Sequence, residues 1–174
     1  MKQLVFIGDS LTEWYDWQRR FPEYRVSNLG IAGETVAGLL ARRDRIRGRV
    51  DTPDVVFLMT GINDLANGNY AIHDAYREIV RNLTTWFKNA TIVVQSVLPV
   101  DTFLVDKYVI HDANRTIAKT AHEYGATFLD VYPLFADEDG TPRPGYLSED
   151  GVHLAVKGYA VWSGAVEQFL QKAI

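Results

Sequence analysis

The chain has 174 residues, of which 47% are hydrophobic and 23% charged, with a formal net charge of −4. A chain of this length can bury roughly 68–70% of its unfolded surface around one core, and its mild acidity gives no general attraction for nucleic acid or an anionic membrane. The absence of cysteine excludes disulfides, thiolate metal sites and a cysteine nucleophile.

The first apolar run, "LVFI" (4–7), is cut short by Gly8. It is too brief for a signal-peptide core, and no later run approaches the ~20 residues of a spanning helix. The expectation is a cytoplasmic protein with no stable membrane insertion. Further short apolar runs follow at "YRVSNL" (24–29), "DVVFLM" (54–59), "TIVVQSV" (91–97) and "ATFLDV" (126–131). Several are continuous rather than alternating, as in strands buried on both faces of a parallel sheet.

Between the runs lie segments of helical period. The basic stretch "ARRDRIRGRV" (41–50) reads as the solvated face of a helix, or as an attractor for an anionic substrate. Ile72, Tyr76, Ile79, Val80, Leu83 and Phe87 make one apolar stripe, and Ala113, Ile117, Ala121 and Tyr124 make another. A last stripe runs through Val156, Tyr159, Ala160, Val166, Phe169, Leu170 and Ala173. Stretches 98–108 and 133–150 are irregular. Strands alternating with helices predict an α/β layered sandwich of about five parallel strands. No repeat or linker divides it, so residues 1–174 are expected to form one domain.

In open α/β sheets, ligands bind outside the carboxyl ends of the strands. "GDS" follows the first run, "GIAGET" the second and "TGIND" the third, while "SEDGVHL" precedes the last helix. Taken singly, each has a plain structural reading. Ser10 can be a turn or N-cap serine, Gly30 and Gly33 can serve close packing or positive φ, and Asn63 and Asp64 can form Asx turns. Asp150 can cap a helix that carries His153 on its surface. Taken together they hold every group acyl transfer requires. Ser10 needs a base within reach, a role open to His153. The imidazole needs an acceptor on its other nitrogen, a role open to Asp150 three residues earlier. Backbone amides at a Gly-rich turn and the Asn63 amide can serve a developing oxyanion. No phosphate-binding Gly-rich motif is present.

The four blocks "GDSLT" (8–12), "NLGIAGET" (28–35), "GIND" (61–64) and "DGVH" (150–153) resemble, in order, those of the SGNH (GDSL) hydrolases, a family of serine esterases and lipases. The resemblance implies a flavodoxin-like three-layer α/β/α sandwich and a triad of Ser10, Asp150 and His153. It implies an oxyanion hole built from the Ser10 amide, Gly33 and Asn63. It further implies a small-molecule ester substrate and no cofactor.

The substrate itself is less defined. "EWYDW" (13–17) gathers Trp14, Tyr15 and Trp17, which can line the site or hold the first helix. Leu98, Val100, Phe103 and Leu104 can form an apolar lip over the ester or a packed loop. Trp14 and Leu98 are the candidate substrate contacts. His73, His111 and His122 lack metal-ligand spacing, so no metal is expected. The leading expectation is hydrolysis of small carboxylic esters. The alternatives are a lysophospholipase or thioesterase-type acyl hydrolase and a non-catalytic flavodoxin-like ligand-binding module. Oligomeric state is not encoded in any visible pattern.

Overall fold

The computed structural model describes residues 1–173. In chain order the elements are β1 (Gln3–Gly8), α1 (Ser10–Glu13), α2 (Trp17–Arg20), β2 (Arg25–Gly30), α3 (Val36–Ala41) and α4 (Arg43–Arg49). They continue with β3 (Val55–Met59), α5 (Ile62–Ala66), α6 (His73–Trp86), β4 (Thr91–Gln95), α7 (Lys107–Glu123), β5 (Thr127–Leu129), α8 (Tyr132–Phe135) and α9 (Val156–Ala173). Each of the five apolar runs thus contains one strand.

The strands form one parallel sheet in the order β2-β1-β3-β4-β5. β1 and β3 are buried throughout, whereas the edge strands β2 and β5 are largely half-exposed. This explains why the central runs are continuously apolar and the edge runs are mixed. Side-chain alternation splits the core in two. Val5, Ile7, Val56, Leu58 and Val94 face one layer, with Leu39, Ile46, Tyr76, Ile79, Val80 and Ile117 from the helices. Leu4, Phe6, Val55, Phe57 and Val93 face the other, with Trp17, Phe21, Trp162, Val166 and Leu170. The architecture is therefore a five-stranded parallel sheet with helices on both faces.

The stripe expected on α6 is buried along its whole length. On α9 the expected stripe is met in part, with Val166 and Leu170 buried and Tyr159 and Phe169 packed against the core. Gly158, Trp162, Val166 and Leu170 are buried, four residues apart, while Val156 is 89% exposed and Ala160 and Ala173 also face solvent. The indole of Trp162 fixes this register: it is fully buried, meets Trp17 edge-on, and donates from Nε1 to Gln95 Oε1 at 2.8 Å. Gly158 lets the first turn pack closely, because a Cβ there would lie 2.2 Å from Tyr146 O.

At the end of β1, Asp9 is the N-cap of α1, and its side chain accepts the Leu11 N–H at 3.1 Å. The residue is 1% exposed, and its Oδ2 is buried without a partner among the described residues. Burial pushes the carboxyl from the ordinary 3.8 up to about 7, against the lowering effects of the Leu11 amide and of His153. The folded chain therefore holds this proton where the unfolded chain releases it. Asp9 lowers stability progressively as pH rises from about 4 to about 7, and no further above that, with a slope of at most ~1.4 kcal/mol per pH unit. Asp9→Asn keeps a side-chain acceptor for Leu11 and removes the titration. Its denaturation midpoint relative to wild type should climb between pH 4 and 7 and then level off. Parallel pH–stability curves for the two proteins would refute this account of Asp9.

Candidate active site

The carboxyl ends of β1, β2 and β3 lie side by side, and the chain passes from β1 outward to β2 and then back across β1 to β3. This reversal of strand order lies between β1 and β3, the place where open α/β sheets leave a crevice. Ser10 opens α1 directly after β1, and Asn63 lies in α5 directly after β3. The loop after β2 completes the rim.

Hydrogen bonds stitch these loops together. Ile31 N donates to Gly8 O at 3.0 Å, Ala32 N to Glu13 Oε2 at 2.8 Å, and Asn63 Nδ2 to Glu34 O at 3.0 Å. Val36 N donates to Asp64 Oδ2 at 2.8 Å. The two glycines of "GIAGET" differ in purpose. At Gly30 a Cβ would stand 2.4 Å from Glu13 N, so this glycine permits α1 to lie against β2. Gly33 is exposed at the rim with φ +74°, and a Cβ there would meet nothing within 4 Å, so it is the backbone conformation rather than packing that favours glycine. Neither the Gly33 nor the Ser10 amide donates to a protein acceptor among the described residues.

The Asp150–His153 segment is not helical. It is the tip of a short loop closed by an antiparallel bridge between Leu147 and Leu154 and by Ala155 N donating to Tyr146 O. Asp150 Oδ1 accepts the Val152 and His153 backbone amides and the Ser148 hydroxyl, each at 2.9 Å. The spacing of three therefore works through a turn built by the aspartate itself. Gly151 (φ +71°) is braced from outside. Its carbonyl accepts Asp101 N at 2.7 Å, and a Cβ there would meet Asp101 O at 2.0 Å.

His153 Nδ1 lies 2.5 Å from Asp150 Oδ2, and its Nε2 lies 3.0 Å from Ser10 Oγ. Burial raises the Asp150 carboxyl, but the His153 ring, the His153 and Val152 amides and Ser148 together hold it well below the usual carboxylate range. An ionised carboxylate only accepts, so the Nδ1 position carries the proton. The neutral ring then presents Nε2 as acceptor to the Ser10 hydroxyl. An arrangement of this kind can remove a proton from a serine as it attacks an acyl carbon.

The aromatic cluster divides by role. Trp17 is 1% exposed and stacked on Phe6, and Tyr15 is stacked on Tyr159 and donates to Ser163 Oγ at 3.2 Å, so both hold the fold. Trp14 is 58% exposed and stacked on the His153 ring at 4.2 Å. Leu98 departs from the expected lip. It is 3% exposed and sits with Asp9, Leu11, Met59, Thr60, Ile62 and Val97 around a void too small for water, leaving it almost no surface for a substrate. The exposed apolar side chains of that loop are Phe103 and Leu104.

Sequence reasoning passed over Asp9, Glu34 and Arg42, and it read Asp64 only as an Asx-turn residue. Arg42 belongs to the basic run but turns away from its solvated face to pair with Glu34. Nothing in its local sequence separates it from its neighbours.

Among the described residues no helix is long and apolar enough to cross a membrane. A search of curated proteins returned no match. The fold is shared by many solved structures. A protein from Streptococcus pneumonia superposes with a TM-score of 0.86 at 23% identity, over 97% of this chain and 84% of that one. A GDSL-like lipase from Bacteroides thetaiotaomicron matches with a TM-score of 0.75 at 22% identity, over 99% and 89%. A variant of an acetyl xylan esterase from Geobacillus stearothermophilus matches with a TM-score of 0.77 at 24% identity, over 96% and 93%. The model of the GDSL-like lipase/acylhydrolase family matches residues 6–161. The chain belongs to that family and is a carboxylic ester hydrolase.

Proposed function

We propose that this protein is a serine esterase that removes short acyl groups, acetyl foremost, from an alcohol by way of an acyl-Ser10 intermediate. The observation that carries this reading is the unbroken line from Ser10 Oγ through the His153 ring to Asp150. In the first half-reaction Ser10 Oγ bonds to the ester carbonyl carbon as its proton passes to His153 Nε2. The carbonyl oxygen becomes an oxyanion, for which the Ser10 amide, the Gly33 amide and Asn63 Nδ2 are the donors. Asn63 Nδ2 carries two hydrogens. One is given to Glu34 O, which fixes the amide's orientation and leaves the other for the oxyanion. Asp150 steadies the imidazolium. The intermediate then expels the alcohol, which takes the proton from Nε2. Water repeats the sequence on the acyl-enzyme and releases the acid.

Two features support a small acyl group on a larger alcohol. Under the nucleophile, Leu11, Met59, Ile62 and Leu98 are each less than 5% exposed and leave no space even for water, so a long chain finds no channel there. On the other side, Nε2 must hand its proton to the leaving alcohol, and Trp14 lies against that same ring. A largely exposed indole is a platform for a sugar ring or another extended alcohol. An acetyl xylan esterase is among the proteins that share the fold.

A fluorophosphonate probe should attach to Ser10, as located by peptide mass spectrometry, and Ser10→Ala should take no label. An adduct at another residue, or none on folded wild type, would overturn the mechanism. Asn63→Ala should lower kcat by roughly 10²–10³ with a smaller change in KM; a change confined to KM would remove Asn63 from the oxyanion site. Across p-nitrophenyl esters, kcat/KM should fall at least about tenfold from acetyl to hexanoyl. Trp14→Ala should raise KM for acetylated xylo-oligosaccharides more than for triacetin. A flat chain-length profile would argue for a long-acyl substrate.

A further inference from the structure

We infer that the Glu34–Arg42 ion pair is the positioning device for the oxyanion-binding loop; the inference rests on the proposed acyl-transfer role of Gly33 and Asn63. Glu34 follows Gly33 in the chain, and its backbone carbonyl is the group that receives Asn63 Nδ2 at 3.0 Å. One residue thus adjoins one amide donor and orients the other. What fixes Glu34 is its side chain. Arg42 Nε and Nη2 donate to Glu34 Oε1 and Oε2 at 2.5 and 2.6 Å, the paired geometry that a guanidinium makes with a carboxylate. Arg42 Nη2 also donates to Leu29 O at 2.8 Å. The guanidinium therefore ties the loop directly to β2, and through β2 to the sheet.

The side chains of Arg42 and Glu34 are 13% and 7% exposed. A pair so enclosed adds little net stability, because desolvation of both charges offsets their attraction, and an apolar pair of similar size often serves the fold equally well. What an apolar pair cannot supply is direction. Two parallel N–H···O bonds and a third to Leu29 set the loop's distance and its rotation together. The donors in turn must meet an oxygen that exists only in the transition state, where an error of about 1 Å can cost roughly 10²-fold in rate. Lysine could keep the charge at position 42 but not the fork or the simultaneous bond to Leu29.

The test is a double-mutant cycle on p-nitrophenyl acetate, with folding followed by circular dichroism and fluorophosphonate labelling of wild type as the reference. Glu34→Gln should lower kcat roughly 10–100-fold with KM within about threefold. Arg42→Lys should show the same split to a smaller extent. Combined with Asn63→Ala, Glu34→Gln should cost far less than the product of the two single losses, since both act through the same donor. Multiplicative losses, a change confined to KM, or wild-type kcat in folded Glu34→Gln would overturn the inference. If Glu34→Gln does not fold, Arg42→Lys with Asn63→Ala completes the same cycle. Wild type that takes no label at Ser10 would instead overturn the acyl-transfer reading.

Discussion

Parallel pairing of β1 with strands on both its sides is the constraint from which the site follows. Because β2 and β3 run in the same sense as β1, their carboxyl ends meet on one rim, and three loops distant in sequence become neighbours. Because β1 and β3 are buried on both faces, they are apolar from Leu4 to Ile7 and from Val55 to Met59 and offer no polar side chain near their carboxyl ends for chemistry. In the proposed mechanism the chemistry therefore falls to the loops beyond each strand, which carry Ser10, the Gly33–Glu34 pair and Asn63. The fourth contribution, Asp150 and His153, comes from outside the sheet. It is held by its own bridge and by the loop after β4, through the contact between Asp101 and Gly151.

Two aspartates flank the pair of Ser10 and His153, the proposed nucleophile and base, and their surroundings drive them in opposite directions. Asp150 stands at a half-exposed loop tip and accepts hydrogen bonds on both oxygens, so its charge is favoured. Asp9 is buried with one oxygen unpartnered, so its neutral form is favoured up to about pH 7. The difference keeps negative charge on the side of His153 remote from the serine, where it would stabilise the imidazolium of the proposed mechanism. Below about pH 7 it leaves Asp9, the residue before Ser10, mostly uncharged, where a negative charge would oppose the proposed oxyanion.

Much of this was legible in the sequence because it rests on short-range patterns. All five strands announce themselves as apolar runs. The four blocks that carry the family resemblance are visible since each occupies a few consecutive residues beyond a strand or before a helix. What was not legible depends on which way a side chain turns once the layers pack. Trp14 and Trp17 are three residues apart and alike in sequence, yet α1 ends at Glu13 and α2 begins at Trp17, which sends one indole to the His153 ring and the other into the core. Leu98 follows a strand as a lip residue would, but the chain stays buried through Pro99, and a large apolar side chain first reaches solvent at Phe103. On α9 the expected stripe holds at Val166 and Leu170, but Trp162, bonded to Gln95, is the buried anchor of the first turns, so Val156 and Ala160 face solvent.

Arg42 shows the same limit most clearly, and it also shows where precision in this fold resides. Five arginines lie between positions 42 and 49, and composition gives them one meaning, a solvated basic face. Arg42 stands within reach of both the β2 terminus and the loop that leaves it, and its guanidinium is drawn onto both. The strands determine which loops become neighbours, but parallel pairing leaves each loop free to tilt by ångströms. Short connections such as Asp9 to Ser10 inherit their position from the strand itself. The longer excursion from Gly30 to Thr35 does not, and it is there that the molecule places a buried fork of charge, the Glu13 contact to Ala32 and the Asp64 contact to Val36. Hydrogen bonds to this loop come from α1, α3, α5 and the end of β1, a density that its position on the rim requires and its own six residues could not provide.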